Sequence, residues 1–317
     1  MTSQLNLFDI QDQSYQVNLY QDRAGVYGKD RWLIFGLLFI PADLELVILK
    51  SLRKAREDEE CWSPLHFSEL PGSWGGAGKH KPRTVYKWLT LSRTLLQGVM
   101  WFHALAIDTH LPFFERDAFS KEFHVYNRFL RMALTSAIPW FFKGKNNLTI
   151  SMCFHNQTFE GYALLEFGRA GQDFDNLSDY IISESEKDME VRHLNQPSIW
   201  PKVQISKSIQ YLPIDPNNVE DESLHSKCEL LQLTDILIGA VSHAIDSISK
   251  SKTKLELASI VGEWMADIRL SPWEQTLGLH RRFGVSYYPN ASGNTYSDGP
   301  LRLSNHLPGT KQGKLFV

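Results

Sequence analysis

Three cysteines in 317 residues, Cys61, Cys153 and Cys228, are too few and too widely spaced for a disulfide framework or a paired-cysteine zinc site. Long apolar runs are missing too. The longest, Trp32–Ile40, has nine residues, far short of the roughly 20 that span a bilayer. Neither sign of charge is in strong excess: 33 Lys plus Arg stand against 36 Asp plus Glu, a net charge of −3. That balance excludes a polycation that coats nucleic acid but leaves room for a local basic groove. The opening MTSQLNLFDIQDQ has no basic segment followed by an apolar stretch, so no signal peptide is expected and a cytoplasmic location is. The common catalytic motifs are absent as well: there is no GxSxG and no HExxH, and the eleven histidines show no zinc spacing. Gly72–Lys79 (GSWGGAGK) fails as a phosphate-binding loop, because Ser73 stands where the first Gly belongs and His80 follows Lys79.

With 43% hydrophobic and 22% charged residues, the chain reads as an ordinary globular protein. Tyr15–Asp22 carries a weak alternating pattern, and Trp32–Ile40 (WLIFGLLFI) reads as a strand buried on both faces. A helix is expected after Pro41-Ala-Asp43, and a second over Thr84–Gln97. Strands follow at Val99–Ile107, Leu148–Phe154 and Val203–Ile214, separated by helices at Asp117–Phe142 and Asp175–Val191. Two more helices, Ser226–Ser249 and Thr253–Arg269, precede a tail rich in Gly, Pro, Asn and Ser. Such an order packs naturally as an α/β fold, a mixed β-sheet flanked by helices.

Two aspartates sit where a chain rarely places them without a use. Asp22 follows the first strand pattern, and Asp235 lies inside the apolar stretch LLQLTDILIGAV. On a helix the neighbours of Asp235 are Leu231, Ile238 and Gly239, with no Lys or Arg within a turn. A buried, unpaired carboxylate costs several kcal/mol, and a divalent cation is its strongest compensator. An Arg brought in from elsewhere in the fold would serve as well. Gln232, three residues earlier, is placed to steady the carboxylate in either case. Lys79, Lys81, Arg83 and Lys87, with Trp74 and Trp88 nearby, form a basic stretch suited to phosphate contacts and base stacking.

The motifs resemble those of the bacterial DUF3800 family, which is expected to have an RNase H-like fold. Family members open with a strand ending in Asp-Glu-Ser-Gly, matched here by Asp22-Arg23-Ala24-Gly25. A His-x-x-Glu-Leu element is matched by His66-Phe67-Ser68-Glu69-Leu70. A late strand closing on Asp is matched by Asp215, and a Leu-Gln-Leu-Ala-Asp helix by Leu231-Gln232-Leu233-Thr234-Asp235. Asp215 also precedes Pro-Asn-Asn, a turn signal in its own right. Arg23 stands where the family has Glu, and His155-Asn156 where it commonly has Asp.

The resemblance implies an RNase H-like domain over residues 15–250, with a helical and loop insertion at about 41–98 between the second and third strands. An N-terminal segment (1–14) and a C-terminal helix and irregular tail (251–317) flank it. It further implies that Asp22, Glu69, Asp215 and Asp235, with His155 or Asn156 alongside, hold Mg²⁺ or Mn²⁺ for phosphodiester hydrolysis of DNA or RNA. It also suggests a role in bacterial defence. The alternative is a degenerate relative that binds nucleic acid or a protein partner without cutting, and a weaker one is a hydrolase of small phosphate esters.

Overall fold

Every residue of Trp32–Pro41 is buried, and a strand without a wet face must be covered on both sides. The computed structural model, which describes residues 14–76, 78–110, 122–156, 170–246, 249–271 and 273–288, supplies that cover. Side chains of residues 122–124 and 170–180 fall outside the description. So do the N-terminal segment through residue 13 and the tail from residue 289.

The strands are β1 (Tyr15–Ala24), β2 (Trp32–Pro41), β3 (Trp101–Asp108), β4 (Asn147–His155), β5 (Lys202–Leu212) and β6 (Phe283–Tyr288). They form one mixed sheet in the order β5-β4-β1-β2-β3-β6. β1, β2 and β3 make an antiparallel meander, while β4 runs parallel to β1, β5 to β4 and β6 to β3. The helices are α1 (Glu45–Asp58), α2 (His80–Gly98), α3 (Glu122–Phe141), α4 (Ala170–Asn195), α5 (His225–Ile245) and α6 (Lys252–Asp267). One face of the sheet packs on α1, α2, α5 and α6, and the other on α3 and α4.

Side chains alternate across a strand, so β1 feeds both cores. Val17 and Leu19 enter the α3/α4 core and Tyr20 enters the α5 core. Asp22 shares the parity of Tyr20 and therefore points toward α5. Arg23 has the opposite parity.

α5 is buried along most of its length. The stretch Glu222–Ile245 is long and apolar enough to cross a membrane, but here it lies between the sheet and its neighbouring helices. Close contact with the sheet depends on Gly36 of β2. A Cβ at that position would stand 2.2 Å from Ile238 Cγ1.

Two elements differ from the sequence expectation. The tail is not wholly irregular, since Phe283–Tyr288 joins the sheet beside β3. α2 begins at His80 rather than Thr84 because Pro82 falls in its first turn, where a missing N–H costs nothing. KHKPR is therefore mostly helix. The expected strand and helix boundaries elsewhere shift by a few residues, and residues 117–121 of the expected aromatic helix lie outside the described residues.

Gly36→Ala should force Ile238 or the whole of α5 to move, lowering stability by about 1–3 kcal/mol as overpacking does. Urea denaturation of this variant and of Gly36→Ala/Ile238→Val measures it. The double variant should recover part of the loss, and no recovery would mean that the contact is not what limits the packing.

Candidate functional site

Asp22 lies near the C-terminal end of β1, where β4 runs alongside in parallel register; the last paired residues are Gln21 and Phe154. The next residues along, Asp22 and His155, meet side chain to side chain. Asp22 is 2% exposed, and its Oδ1 lies 2.9 Å from His155 Nδ1 and accepts from Arg23 N at 2.7 Å. An ionised carboxylate only accepts, so the His155 proton on this contact sits at Nδ1.

Asp235 projects from α5 into the same region. Its Oδ2 accepts from Phe67 N at 2.7 Å. Among the described residues, no Lys or Arg pairs with either carboxylate, so the core Arg that would have served in place of a cation does not arrive. Burial pushes the Asp235 carboxyl up to about 8. The charge of Asp22 adds to this, the Phe67 N–H opposes it, and Glu69 adds a smaller push. Both effects of burial and of a neighbouring like charge disfavour the ionised form.

The segment carrying Phe67 is a pair of overlapping turns, neither helix nor strand. Glu69 N donates to His66 O and Leu70 N to Phe67 O. It approaches α5 closely because position 239 is Gly: a Cβ there would stand 2.4 Å from Phe67 Cβ. Gln232 anchors the segment instead of touching Asp235, as expected from spacing. Its Oε1 accepts from Leu65 N at 3.0 Å and from Arg56, and its Nε2 donates to Ile214 O at 2.8 Å. Arg56 is buried, donates to Cys61 O and Ser63 O, and lies over the Trp88 ring at 4.9 Å. One amide thus fixes the turns, the exit of β5 and the end of α1.

The other expected residues fall at varying remove. Glu69 is 59% exposed at its side chain and pairs with Lys81 at 3.6 Å, though its charge reaches Asp235 and His66. His66 is half-buried, and burial lowers its imidazole, against the charge of Glu69. Asp215 caps the short turn Pro216–Asn218, its Oδ1 accepting from Asn217 N at 2.9 Å. Asn156 follows His155 and joins β5 through its backbone N–H to Leu212 O. Arg23 crosses to the other face of the sheet, where its Nη1 donates to Tyr126 and Gly25 O. A Glu there would not have joined Asp22, so this departure from the family pattern removes nothing from the cluster.

The basic stretch does not form a stacking platform. Trp88 is fully buried and its Nε1 donates to Leu52 O. Lys87 pairs with Glu59 at 2.8 Å and Asp58 at 3.5 Å. Trp74 donates to Glu256. Lys79 stands half-buried just before α2, and Arg83 is exposed. The helical period explains this: positions 85, 88, 89 and 92 face inward together.

A cleft of about 720 Å³ opens beside Asp235. Lys29 and Arg31 of the β1–β2 hairpin and His243 and Asp246 of α5 line it, and the sequence reading had singled out none of them. The signal for His243 was available, since it stands eight residues from Asp235 on the same helical stripe.

Comparison with protein-family models, curated proteins and solved structures returns no match. The chemistry of this site therefore rests on its own geometry.

The raised Asp235 carboxyl has a thermal consequence. Between its ordinary value of 3.8 and about 8, the folded protein keeps a proton that the unfolded chain has released. That contribution is whole below pH 3.8 and is lost as the pH rises to about 8. It amounts to about 1.4 kcal/mol per unit of separation. In chelated buffer Asp235→Asn, which keeps an acceptor for Phe67 N–H, should therefore gain on the wild type across that window and no further above it. Melting curves over that range check this; a difference independent of pH would put the carboxyl in water.

Proposed function

We propose that the protein is a metal-dependent phosphodiesterase of nucleic acid, with Asp22 and Asp235 holding Mg²⁺ or Mn²⁺. The observation that carries this reading is the buried Asp22 and the half-buried Asp235, two carboxylates that repel each other with no Lys or Arg paired to either among the described residues. Asp22 Oδ2 and Asp235 Oδ1 take no hydrogen bond from a described residue, and bare carboxylate oxygens suit a hard cation. Among the described residues no trio of His, Cys, Asp or Glu side chains is gathered to enclose an ion. Mg²⁺ needs no such cage, because it keeps several waters and binds through one or two carboxylates plus substrate phosphates.

When bound, the ion supplies Lewis-acid chemistry, lowering the pKa of water and offsetting charge on phosphate oxygens. The protein's part is positional. His155 holds one oxygen of Asp22 and Phe67 N–H one oxygen of Asp235, leaving the other two for the ligand. Gln232 keeps the Phe67 turns in register with α5. Burial excludes bulk water, which strengthens every charge interaction inside. Glu69, whose charge reaches Asp235, is the candidate third acid. Asp215, committed to its turn, is left out of the set.

The sheet supports an RNase H-like core: a three-strand antiparallel meander extended past β1 by two parallel strands, with α1 and α2 as the insertion after β2. β6 is additional to it. Three of the four motifs behind the DUF3800 resemblance also come together, at Asp22, at the turns of 65–70 and at Asp235, while Asp215 stays in its turn. A second reading, a protein that binds nucleic acid without cutting, is favoured by one contact: His155 already satisfies part of Asp22 without a cation.

Calorimetric titration with Mn²⁺, paired with a nuclease assay, separates the two. Wild type should bind, and Asp22→Asn and Asp235→Asn should lose both binding and cleavage. His155→Ala should weaken binding about 10–100-fold, as loss of a ligand-orienting partner does. Binding without cleavage favours the second reading. If no heat of binding is seen in the wild type, the metal site is wrong.

A further inference from the structure

The two walls of the cleft beside Asp235 differ in hydrogen-bonding character. On the hairpin wall Lys29 is exposed beside Asp30, and Arg31 is held by Asp108. The α5 wall carries Asp235, His243 and Asp246. Eight residues separate Asp235 from His243, roughly 12 Å along the helix axis. His243 therefore meets a different part of any ligand from the part held at Asp235. A volume of about 720 Å³ is ample for a small ligand or one unit of a larger one.

His243 is held in a defined orientation. Its Nδ1 lies 2.9 Å from Gly239 O. A carbonyl only accepts, so Nδ1 carries the proton, and in the neutral ring Nε2 is a bare acceptor. The ring packs against Phe67, with centroids 4.9 Å apart, and the backbone of that same Phe67 holds Asp235. Burial lowers the imidazole, the Gly239 hydrogen bond opposes it, Lys254 acts with burial and Asp246 against it, and the net direction favours the neutral ring. Asp246, at the C-cap of α5, adds a carboxylate to the same wall. A phosphate, which brings only acceptors and negative charge, is opposed on this wall by the Asp246 carboxylate and the bare His243 Nε2. Its place is against Lys29. A sugar hydroxyl, which donates, fits the α5 wall, and a carboxylate accepting from a ribose hydroxyl is a recurring device in nucleotide sites.

Resting on the phosphodiesterase reading, we infer that the cleft seats a ribonucleotide unit, its phosphate toward Lys29 and its ribose 2′-hydroxyl donating to His243 Nε2. The 2′-hydroxyl is the group by which a protein tells RNA from DNA, so His243 is a specificity-determining residue that selects RNA.

The test is a binding measurement that needs neither cation nor cleavage. The full chain, with ¹⁵N-labelled histidine, is titrated with adenosine 5′-monophosphate and with its 2′-deoxy analogue. The expected result is a shift of the His243 Nε2 signal by the ribonucleotide, with the deoxy analogue bound at least about tenfold more weakly, the ratio for one lost hydrogen bond of ordinary strength. His243→Leu should bring both ligands to the deoxy value. Equal binding of the two ligands by the wild type, no binding of either, or a preference that survives His243→Leu overturns the inference. If His243→Leu does not fold, the wild-type comparison decides alone. A ribose preference in a protein that neither binds Mn²⁺ nor cleaves would sink the phosphodiesterase reading and leave this one standing. Metal-dependent cleavage of RNA and DNA at equal rates, with no ribose preference, would do the reverse.

Discussion

A helix with a carboxylate on its buried face packs closely only where its neighbours give up side chains, and α5 meets two such places. Gly36 lets Ile238 rest against β2, and Gly239 lets Phe67 rest against α5. The first contact sets the height of α5 over the sheet and hence the depth of Asp235 beside Asp22. The second brings the Phe67 N–H onto the Asp235 oxygen and its ring onto His243. Add a methyl at either position and the spacing of all these groups changes together. Interiors are packed too densely for one of them to move alone.

That tight packing makes the electrostatics costly. Half-buried at the cleft, Asp235 takes a single backbone hydrogen bond and faces a second acid, and its carboxyl is pushed up to about 8. The surroundings are otherwise well compensated. Arg56, more deeply buried, is matched by two carbonyls, Gln232 and the Trp88 ring, with Glu229 at 3.8 Å. Asp108 is held by two bonds from Arg31. Arg56 and Asp108 are thus matched, while Asp22 and Asp235 stand opposed at the edge of a cleft. Oppositions of this kind mark functional sites more often than structural ones. A ligand that relieves it binds the native state alone and so stabilises the fold by mass action.

Much of the architecture was legible because it depends on local pattern. The unbroken apolar run of β2, the alternation of β1 and the apolar stripe of α5 each declare their burial in sequence. Asp22 and Asp235 stood out for the same reason, as charges inside apolar patterns. What was not legible depends on partners distant in the chain. FGVSYY at 283–288 is six residues in a Gly- and Asn-rich tail, and it becomes a strand only because β3 leaves an edge open to it. Gln232 looked like a partner for Asp235 by spacing, yet a buried amide with three distant backbone and side-chain partners is better satisfied elsewhere. Trp88 looked like a stacking surface beside basic residues, yet it shares the inward stripe of α2 with Val85, Leu89 and Ser92. Asp215 offered two readings, and its capping bond to Asn217 favours the turn.

His155 bears on how many ions such a site holds. Where the family resemblance anticipates an acid at the end of β4, this chain has a histidine that shares its Nδ1 proton with Asp22. A third buried acid there would add to the repulsion already felt by Asp235 and would call for more positive charge than one divalent ion brings. The histidine adds a hydrogen bond to Asp22 and no negative charge. Two carboxylates against one divalent cation come to zero, the state that a low-dielectric interior tolerates at least cost. With Glu69 exposed and tied to Lys81, the residues that stay buried therefore suit one tightly held ion. Any second ion would rest on the exposed Glu69 and on the substrate's own phosphate oxygens, and its occupancy would rise and fall with substrate.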